Sequence, residues 1–137
     1  MIVAMDVWGW LGFNVVIYLA ALQGIPAELL EAAEIDGARA WRRFWYITRP
    51  LLGTATVFLT VWLTINAFQL FDEVFLTTRG GPLYSTAVVV YYLWDRAFNQ
   101  FEAGLGAAAG WVLFVVIGAV GLIEWKISKR TVYTGAK

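Results

Sequence analysis

The sequence predicts an all-α membrane protein with three transmembrane helices, a polar loop between the first two and a short helix between the last two. Hydrophobic residues make up 61% of the 137-residue chain and charged residues 15%, and the mean hydropathy is +0.68. A soluble domain is about 45–50% apolar and about 25% charged. The charged residues also lie in gaps between long apolar runs. This pattern is typical of a multispanning membrane protein.

The composition also excludes several kinds of chemistry. The chain has no cysteine and no histidine, which removes disulfides, thiolate nucleophiles, imidazole acid–base catalysis and zinc sites built on these residues. The formal net charge is zero, so we expect no nucleic-acid partner. We predict no catalytic residue, no metal site and no cofactor. The N-terminus lacks a basic region and its apolar run continues as a span, so no cleavable signal peptide is predicted.

The first predicted span runs from about residue 7 to residue 22. We expect its helix to begin between Asp6 and Gly9, because Asp6 interrupts the apolar residues. At about 1.5 Å per residue this span reaches roughly 24 Å, and a few more residues would cross a core of about 30 Å. Asn14 lies inside it. This amide is expected either to bond to another span or to line a translocation path.

A polar loop, residues 24–50, follows the first span. Its first half is acidic and its second half is basic. We predict a helix over residues 27–38 that starts after Pro26, a break at Gly37, and an end of the loop at Pro50. The spacing fits two interpretations equally. The loop is either a docking element for another protein or an amphipathic helix on the membrane surface.

The second predicted span, residues 51–70, carries no charge. Asn66 and Gln69 share a face near its end, and Asp72 follows about one turn later. Polar groups in a span tend to face a bundle interior or a wet cavity. Asn66 and Gln69, like Asn14, are therefore candidates for a polar substrate path. Ordinary hydrogen bonds between packed helices are the alternative.

The outer segment, residues 72–102, separates the second and third spans. Gly80-Gly81-Pro82 predicts a turn, and a helix too short to cross a membrane is predicted over residues 87–98. The third span is predicted over residues 103–123. Its first residues are small, and Gly106 and Gly110 form a G-x-x-x-G pair that is typical of close helix packing.

The distribution of lysine and arginine predicts the orientation. Eight of the ten basic residues lie in the loop or after the third span, two lie in the outer segment, and none precedes the first span. The positive-inside rule therefore places the loop and the C-terminus in the cytoplasm and the N-terminus outside. The eight residues are Arg39, Arg42, Arg43, Arg49, Lys126, Lys129, Arg130 and Lys137.

The loop contains a motif with long, fixed spacing. Glu31-Ala32-Ala33 is followed after three residues by Gly37, and after nine more by Ile47-Thr48-Arg49-Pro50. This motif resembles the EAA-loop signature of ABC-importer permeases, E-A-A-x3-G-x9-I-x-L-P, with arginine at position 49 where the signature has leucine. The segments AALQGIP, EIDGA and LTTRGGP extend the resemblance to the carbohydrate type (maltose, sugar and glycerol-3-phosphate uptake systems). It covers residues 8–130.

The resemblance implies a transport mechanism in which this chain itself hydrolyses nothing. The chain has no Walker lysine motif, so separate ATP-binding subunits are implied. The EAA loop would form a coupling helix in a cleft of such a subunit. A second permease subunit, an extracytoplasmic solute-binding protein, a sugar-type small molecule and membrane lipid are the other implied partners. The contact residues carried over from the motif are Glu31, Ala32, Ala33, Asp36 and Gly37.

The resemblance also implies a bacterial or archaeal inner membrane, and a helix 87–98 at its outer boundary. Permeases of this family have more spans than the three predicted here, so we expect a fragment or truncated chain that carries the C-terminal half. An alternative function is a non-transporting scaffold that docks an ATPase through the same loop. An intramembrane acid enzyme is disfavoured, because the acidic residues Asp6, Asp72, Glu73 and Glu124 lie at span ends.

Overall fold

A computed structural model describes residues 1–128 of the chain. These residues form helices and turns without a strand, and three helices are long and apolar enough to cross a membrane. The predicted all-α class with three spanning helices is confirmed. In chain order the helices are α1 (Ile2–Gln23), α2 (Ala27–Ile35), α3 (Ala40–Arg43), a π-helical turn (Phe44–Thr48), α4 (Arg49–Leu51), α5 (Gly53–Phe68), α6 (Asp72–Thr77), α7 (Val89–Trp94), a second π-helical turn (Asp95–Asn99) and α8 (Ala103–Ser128).

The first spanning helix is longer than predicted. It begins at Ile2, so the predicted start between Asp6 and Gly9 is wrong. The residues before Asp6 are apolar, and the Met5 N–H already donates to the Met1 carbonyl. An aspartate inside a helix costs only about 0.7 kcal/mol relative to alanine, too little to delay helix formation.

The second span is interrupted near its end. Helix α5 stops at Phe68, and the Gln69 N–H is shared between the carbonyls of Ile65 and Asn66, which tightens the last turn. Helix α6 then restarts at Asp72. Gln69 therefore lies just beyond α5, and Asp72 belongs to the next helix, although the stretch Gly53–Thr77 as a whole is long enough to span.

The polar loop forms two short helices, as predicted. Pro26 caps α2 at its start, and α2 ends at Ile35, three residues before the predicted end of the helix at Ala38. Helical structure continues through Pro50 to Leu51, and the boundary between the loop and the second span at Pro50 stays a prediction. The ring of Pro50 would crowd the carbonyl four residues earlier in a regular α-helix. The preceding π-helical turn, in which the Arg49 N–H donates to the Phe44 carbonyl, widens the helix at that point.

The outer segment contains the predicted turn and short helix. Helix α6 ends at Thr77, turns follow, and α7 continues into the second π-helical turn, which ends at Asn99. The small residues at the start of α8 pack closely against this segment. A Cβ atom added to Gly106 would lie 2.8 Å from the Cβ of Ala97, and one added to Gly110 would lie 3.2 Å from Leu93. The predicted role of this pair in close packing is confirmed.

The chain divides into two compact units. The first unit contains residues 1–9 and 61–123, and its packed centre includes Val74 and the rings of Tyr91 and Trp94. The second unit contains residues 10–60 and residues 124–128 at the end of the described part of the chain. It holds the polar loop, and in it the Tyr18 hydroxyl donates to the Thr56 hydroxyl oxygen, which joins α1 to α5.

Candidate functional site

Helix α2 ends in a hydrogen-bonded turn whose backbone conformation favours glycine at position 37. The Gly37 N–H donates to the Glu34 carbonyl at 3.0 Å, and the Ala38 N–H donates to the Ala33 carbonyl at 2.9 Å. This pair of bonds is the Schellman motif, and its glycine has a φ of +73°. No atom lies within 4 Å of a Cβ added to Gly37. Backbone conformation, not packing space, is what selects glycine here.

An ion pair joins the two helices of the loop across this turn. The Arg43 guanidinium donates to the Glu34 carboxylate at 2.8 Å. Such a pair contributes at most about 1 kcal/mol when it is exposed to solvent, as the Glu34 side chain is. Its effect is geometric, because it adds a second connection between α2 and α3 beside the Gly37 turn.

The five residues predicted for the ATPase contact lie together on α2 and its C-terminal cap. Four are exposed, and Ala33 is half-buried. Ala33 supplies a carbonyl to the turn, and Asp36 is the cap residue itself. The arrangement presents two carboxylates, Glu31 and Asp36, and a small-residue surface in a fixed turn. Small, exposed residues of this kind allow a close helix-in-cleft contact.

Two exposed apolar residues of the loop were not singled out from the sequence. Ile35 is 86% exposed and Tyr46 is 78% exposed. Ile35 lies on the last turn of α2, directly before the predicted contact residue Asp36. An apolar residue between charged neighbours outside a predicted span is the signal by which it could have been found. Exposed large apolar side chains of this kind mark interaction surfaces when they cluster.

The candidate path residues bond to their own helices. The Asn14 Nδ2 donates to the Trp10 carbonyl at 2.7 Å, and the Asn66 Nδ2 donates to the Trp62 carbonyl at 2.8 Å. Each amide has a second N–H and a carbonyl oxygen beyond this bond. Asn14 belongs to the second unit, whereas Asn66 and the exposed Gln69 belong to the first.

The sequence analysis did not predict a cluster of hydrogen-bond donors around a buried carboxylate, Asp95, in the outer segment. Asp95 is 8% exposed and accepts hydrogen bonds from Asn99 at 2.9 Å, Gln100 at 2.8 Å and the Tyr84 hydroxyl at 3.2 Å. The bond from Asn99 contributes most to lowering the pKa of Asp95. Burial opposes this effect, and the bonds from Gln100 and Tyr84 and the charge of Arg96 reinforce it. The spacing of Asp95 and Asn99, one helical turn apart, was the only sequence signal.

Arg96 extends this cluster toward α8. Its guanidinium donates to Gln100 at 2.6 Å and to Glu102 at 3.0 Å. Together these bonds fix the connection between the second π-helical turn and α8. Within residues 1–128 no group of three or more metal-ligating side chains is assembled.

The chain is similar to known proteins over almost its whole length. The family model described as binding-protein-dependent transport system inner membrane component matches residues 1–130. The chain is 38% identical to the "Probable ABC transporter permease protein YesP" of Bacillus subtilis, with 99% of the chain and 44% of that protein aligned.

Two further relatives have names that state a substrate. The arabinooligosaccharides transport system permease protein AraP of Halalkalibacterium halodurans is 38% identical over 90% of the chain and 40% of its own length. The sn-glycerol-3-phosphate transport system permease protein UgpA of Agrobacterium fabrum is 38% identical over 98% of the chain and 46% of its own length. The chain therefore spans less than half the length of these three relatives.

Proposed function

Because this chain belongs to the family of binding-protein-dependent transport system inner membrane components, we propose that it is part of the permease subunit of an ABC importer for a sugar or sugar derivative. The substrates named for AraP and UgpA are an oligosaccharide and a sugar-alcohol phosphate. Both are polar, so a path through lipid must offer them hydrogen-bonding groups. We assign that role to Asn14, Asn66 and Gln69.

The loop 24–50 is proposed to couple this permease to ATP-binding subunits. The observation that carries this proposal is the exposed α2 helix, which presents Glu31 and Ala32 and ends at Asp36 and Gly37 in the hydrogen-bonded Schellman turn. A helix can transmit force to a span only if the connection between them is stiff. The loop meets this requirement, because helical turns continue from Ala40 to Leu51 and α5 follows at Gly53.

We propose an orientation with the N-terminus outside and the loop and C-terminus in the cytoplasm of a bacterial or archaeal cell. Four arginines of the loop and Lys126 at the end of α8 support it. The other basic residues of the tail, Lys129, Arg130 and Lys137, lie outside the described residues.

The whole importer is proposed to require more than this chain. Two ATP-binding subunits, a second permease subunit and a solute-binding protein complete it, and membrane lipid surrounds it. We further propose that the chain corresponds to the C-terminal half of a longer permease, since it aligns with less than half of its named relatives. The spans absent from this chain would enclose the rest of the path.

Two substitutions at one position test the coupling proposal. Asparagine tolerates a positive φ and keeps the turn, whereas tryptophan adds bulk to the surface that would enter a cleft. We expect an ATP-binding subunit, identified by mass spectrometry, to co-purify in mild detergent with the wild type and with Gly37→Asn. It should be lost with Gly37→Trp.

The possible outcomes distinguish a coupling helix that enters a cleft of the ATP-binding subunit from the alternatives. Retention of the ATP-binding subunit by Gly37→Trp would contradict a close helix-in-cleft contact. Association that survives in Gly37→Asn without sugar uptake by the reconstituted complex would favour the non-transporting scaffold. Circular dichroism of both variants serves as the folding control.

A further inference from the structure

Three aromatic rings form an exposed cluster on the helical run from Ala40 to Leu51, in the second unit. The ring centroids of Trp41 and Trp45 are 5.7 Å apart, and the Phe44 ring lies 6.3 Å from the first and 5.9 Å from the second. All three side chains remain exposed despite these contacts, Trp41 to 73%. Contiguous exposed apolar surface of this kind marks an interaction site.

Arginine side chains accompany the aromatic cluster. Arg42 is exposed, and the Cζ atom of Arg49 lies 4.6 Å from the centroid of the Trp45 ring, a cation–π contact. Residues 37–71 contain four arginines and no aspartate or glutamate. Of these four, Arg43 alone is in an ion pair within the described part of the chain. The other three carry positive charge that no carboxylate there balances.

The same helical run leads directly into a membrane span. Residues Gly53–Thr77 are long and apolar enough to cross a membrane, and a single residue, Leu52, separates them from the run. The membrane surface is therefore next to this segment, whichever residues of the span occupy the hydrocarbon core. Tryptophan and arginine together are typical of that surface, because the indole ring suits the boundary between lipid and water and the guanidinium reaches the lipid phosphates.

The two halves of the loop differ in charge, and this difference favours lipid as the occupant. Four carboxylates lie on α2 and its cap, at Glu28, Glu31, Glu34 and Asp36, whereas the four arginines all follow Gly37. A membrane surface with anionic lipids has a negative potential, which attracts arginine and repels carboxylates. Such a surface therefore complements the second half of the loop and not the first.

We propose that Trp41, Phe44 and Trp45 insert among the headgroups of an anionic lipid surface, and that Arg42 and Arg49 bind the lipid phosphates. A guanidinium offers two parallel N–H donors to a phosphate. A zwitterionic headgroup has the same phosphate but a compensating positive charge, so the arginines select lipids such as phosphatidylglycerol. The contact does not require an ATP-binding subunit, and it holds the carboxylates of α2 away from the membrane.

Lipid quenching of a single fluorophore tests the proposal in the full chain. Since the chain has no cysteine, Trp41→Cys and the control Ala32→Cys on α2 can each carry one nitrobenzoxadiazole label. The chain is reconstituted in equal parts of phosphatidylglycerol and phosphatidylcholine, and a nitroxide at the fifth acyl carbon is placed on one lipid or on the other. At position 41 we expect about fivefold stronger quenching by the phosphatidylglycerol nitroxide, since one charge near the surface contributes about that factor. At position 32 neither lipid should quench appreciably.

Two variants at position 42 show whether charge causes the preference. Arg42→Gln in the chain labelled at position 41 should remove most of the preference for phosphatidylglycerol, and Arg42→Lys, which keeps the charge, should retain it. Equal quenching by the two lipids, or a preference unchanged in Arg42→Gln, would overturn the proposal. So would an absence of quenching at position 41, the result expected if a protein subunit covers the aromatic cluster.

Discussion

The role of a single residue could be predicted from the sequence where it depends on the residue's own backbone preference. It could not be predicted where it depends on side chains that are distant in the sequence. Gly37 was predicted to break the loop helix, because glycine inside a helix costs about 1 kcal/mol relative to alanine. The Schellman turn with a φ of +73° confirms it. The Asp95 cluster was not predicted, because one of its donors, Tyr84, is 11 residues away and reaches it only through the turn before α7.

The Asp95 cluster leads to a prediction about acid stability. Replacing this carboxylate with an amide, Asp95→Asn, keeps one acceptor oxygen but places an NH2 group against the donors of the other oxygen and removes the negative charge that strengthens these bonds, at a cost of about 1–3 kcal/mol. The variant should therefore have a lower melting temperature than the wild type at neutral pH. Circular dichroism in detergent measures both temperatures.

The difference in melting temperature between the wild type and Asp95→Asn should depend on pH in a defined direction. The pKa of Asp95 in the folded protein is lowered below its ordinary value of 3.8. The carboxylate therefore stabilises the fold fully above 3.8, and the contribution is lost as the pH falls through the lowered pKa. The difference between wild type and Asp95→Asn should be constant above pH 3.8 and shrink in stronger acid. A difference that grows on acidification would contradict the assignment.

At the scale of elements, the number and kind of helices followed from the sequence, but their ends did not. Apolar runs of sufficient length predict spans because only helices satisfy backbone hydrogen bonds in lipid. Helical structure does not stop at Pro50, since a π-helical turn lets the helix pass this residue. This π-helical turn depends on the backbone bond from the Arg49 N–H to the Phe44 carbonyl. No residue pattern in the sequence indicates such a bond.

Close packing between α8 and the outer segment gives a prediction for two glycines. A Cβ on Gly106 would lie 2.8 Å from Ala97, so Gly106→Ala should destabilise the chain by about 1–3 kcal/mol. Gly118 lies in the same helix, with no atom within 4 Å of an added Cβ. Gly118→Ala should be neutral or stabilising by up to about 1 kcal/mol, because alanine favours helix.

Melting temperatures of the two variants in detergent check this prediction. A lower value for Gly106→Ala alone would support the packing described here. Equal values would show that α8 does not approach the second π-helical turn so closely.

At the scale of the whole molecule, the orientation in the membrane can be measured directly because the chain has no cysteine. Single cysteines at two exposed positions, Ala32→Cys in the loop and Ser85→Cys in the outer segment, provide unique labelling sites. In intact cells an impermeant maleimide should label Ser85→Cys, and Ala32→Cys only after permeabilisation. Reversed labelling would overturn the proposed orientation.

The sequence also predicted the family, because the EAA spacing and the segments around it extend over most of the chain. It could not predict how the candidate path is completed. Asn14 and Asn66 bond to their own helices in this chain, and under the proposed function the other polar groups of the path would come from the proposed partner subunits. Large exposed apolar side chains, such as Trp111 and Phe114 on α8, likewise face surroundings that the chain does not supply.

The central claim, that the loop is the contact for an ATP-binding subunit, is tested most directly by photo-crosslinking from position 32. A benzophenone maleimide attached to Ala32→Cys is activated in native membranes, with Ser85→Cys as the matched control on the other segment. The account predicts a crosslinked ATP-binding subunit from position 32 and none from position 85. Crosslinks from position 32 to lipid only would contradict it and would make α2 a helix of the membrane surface.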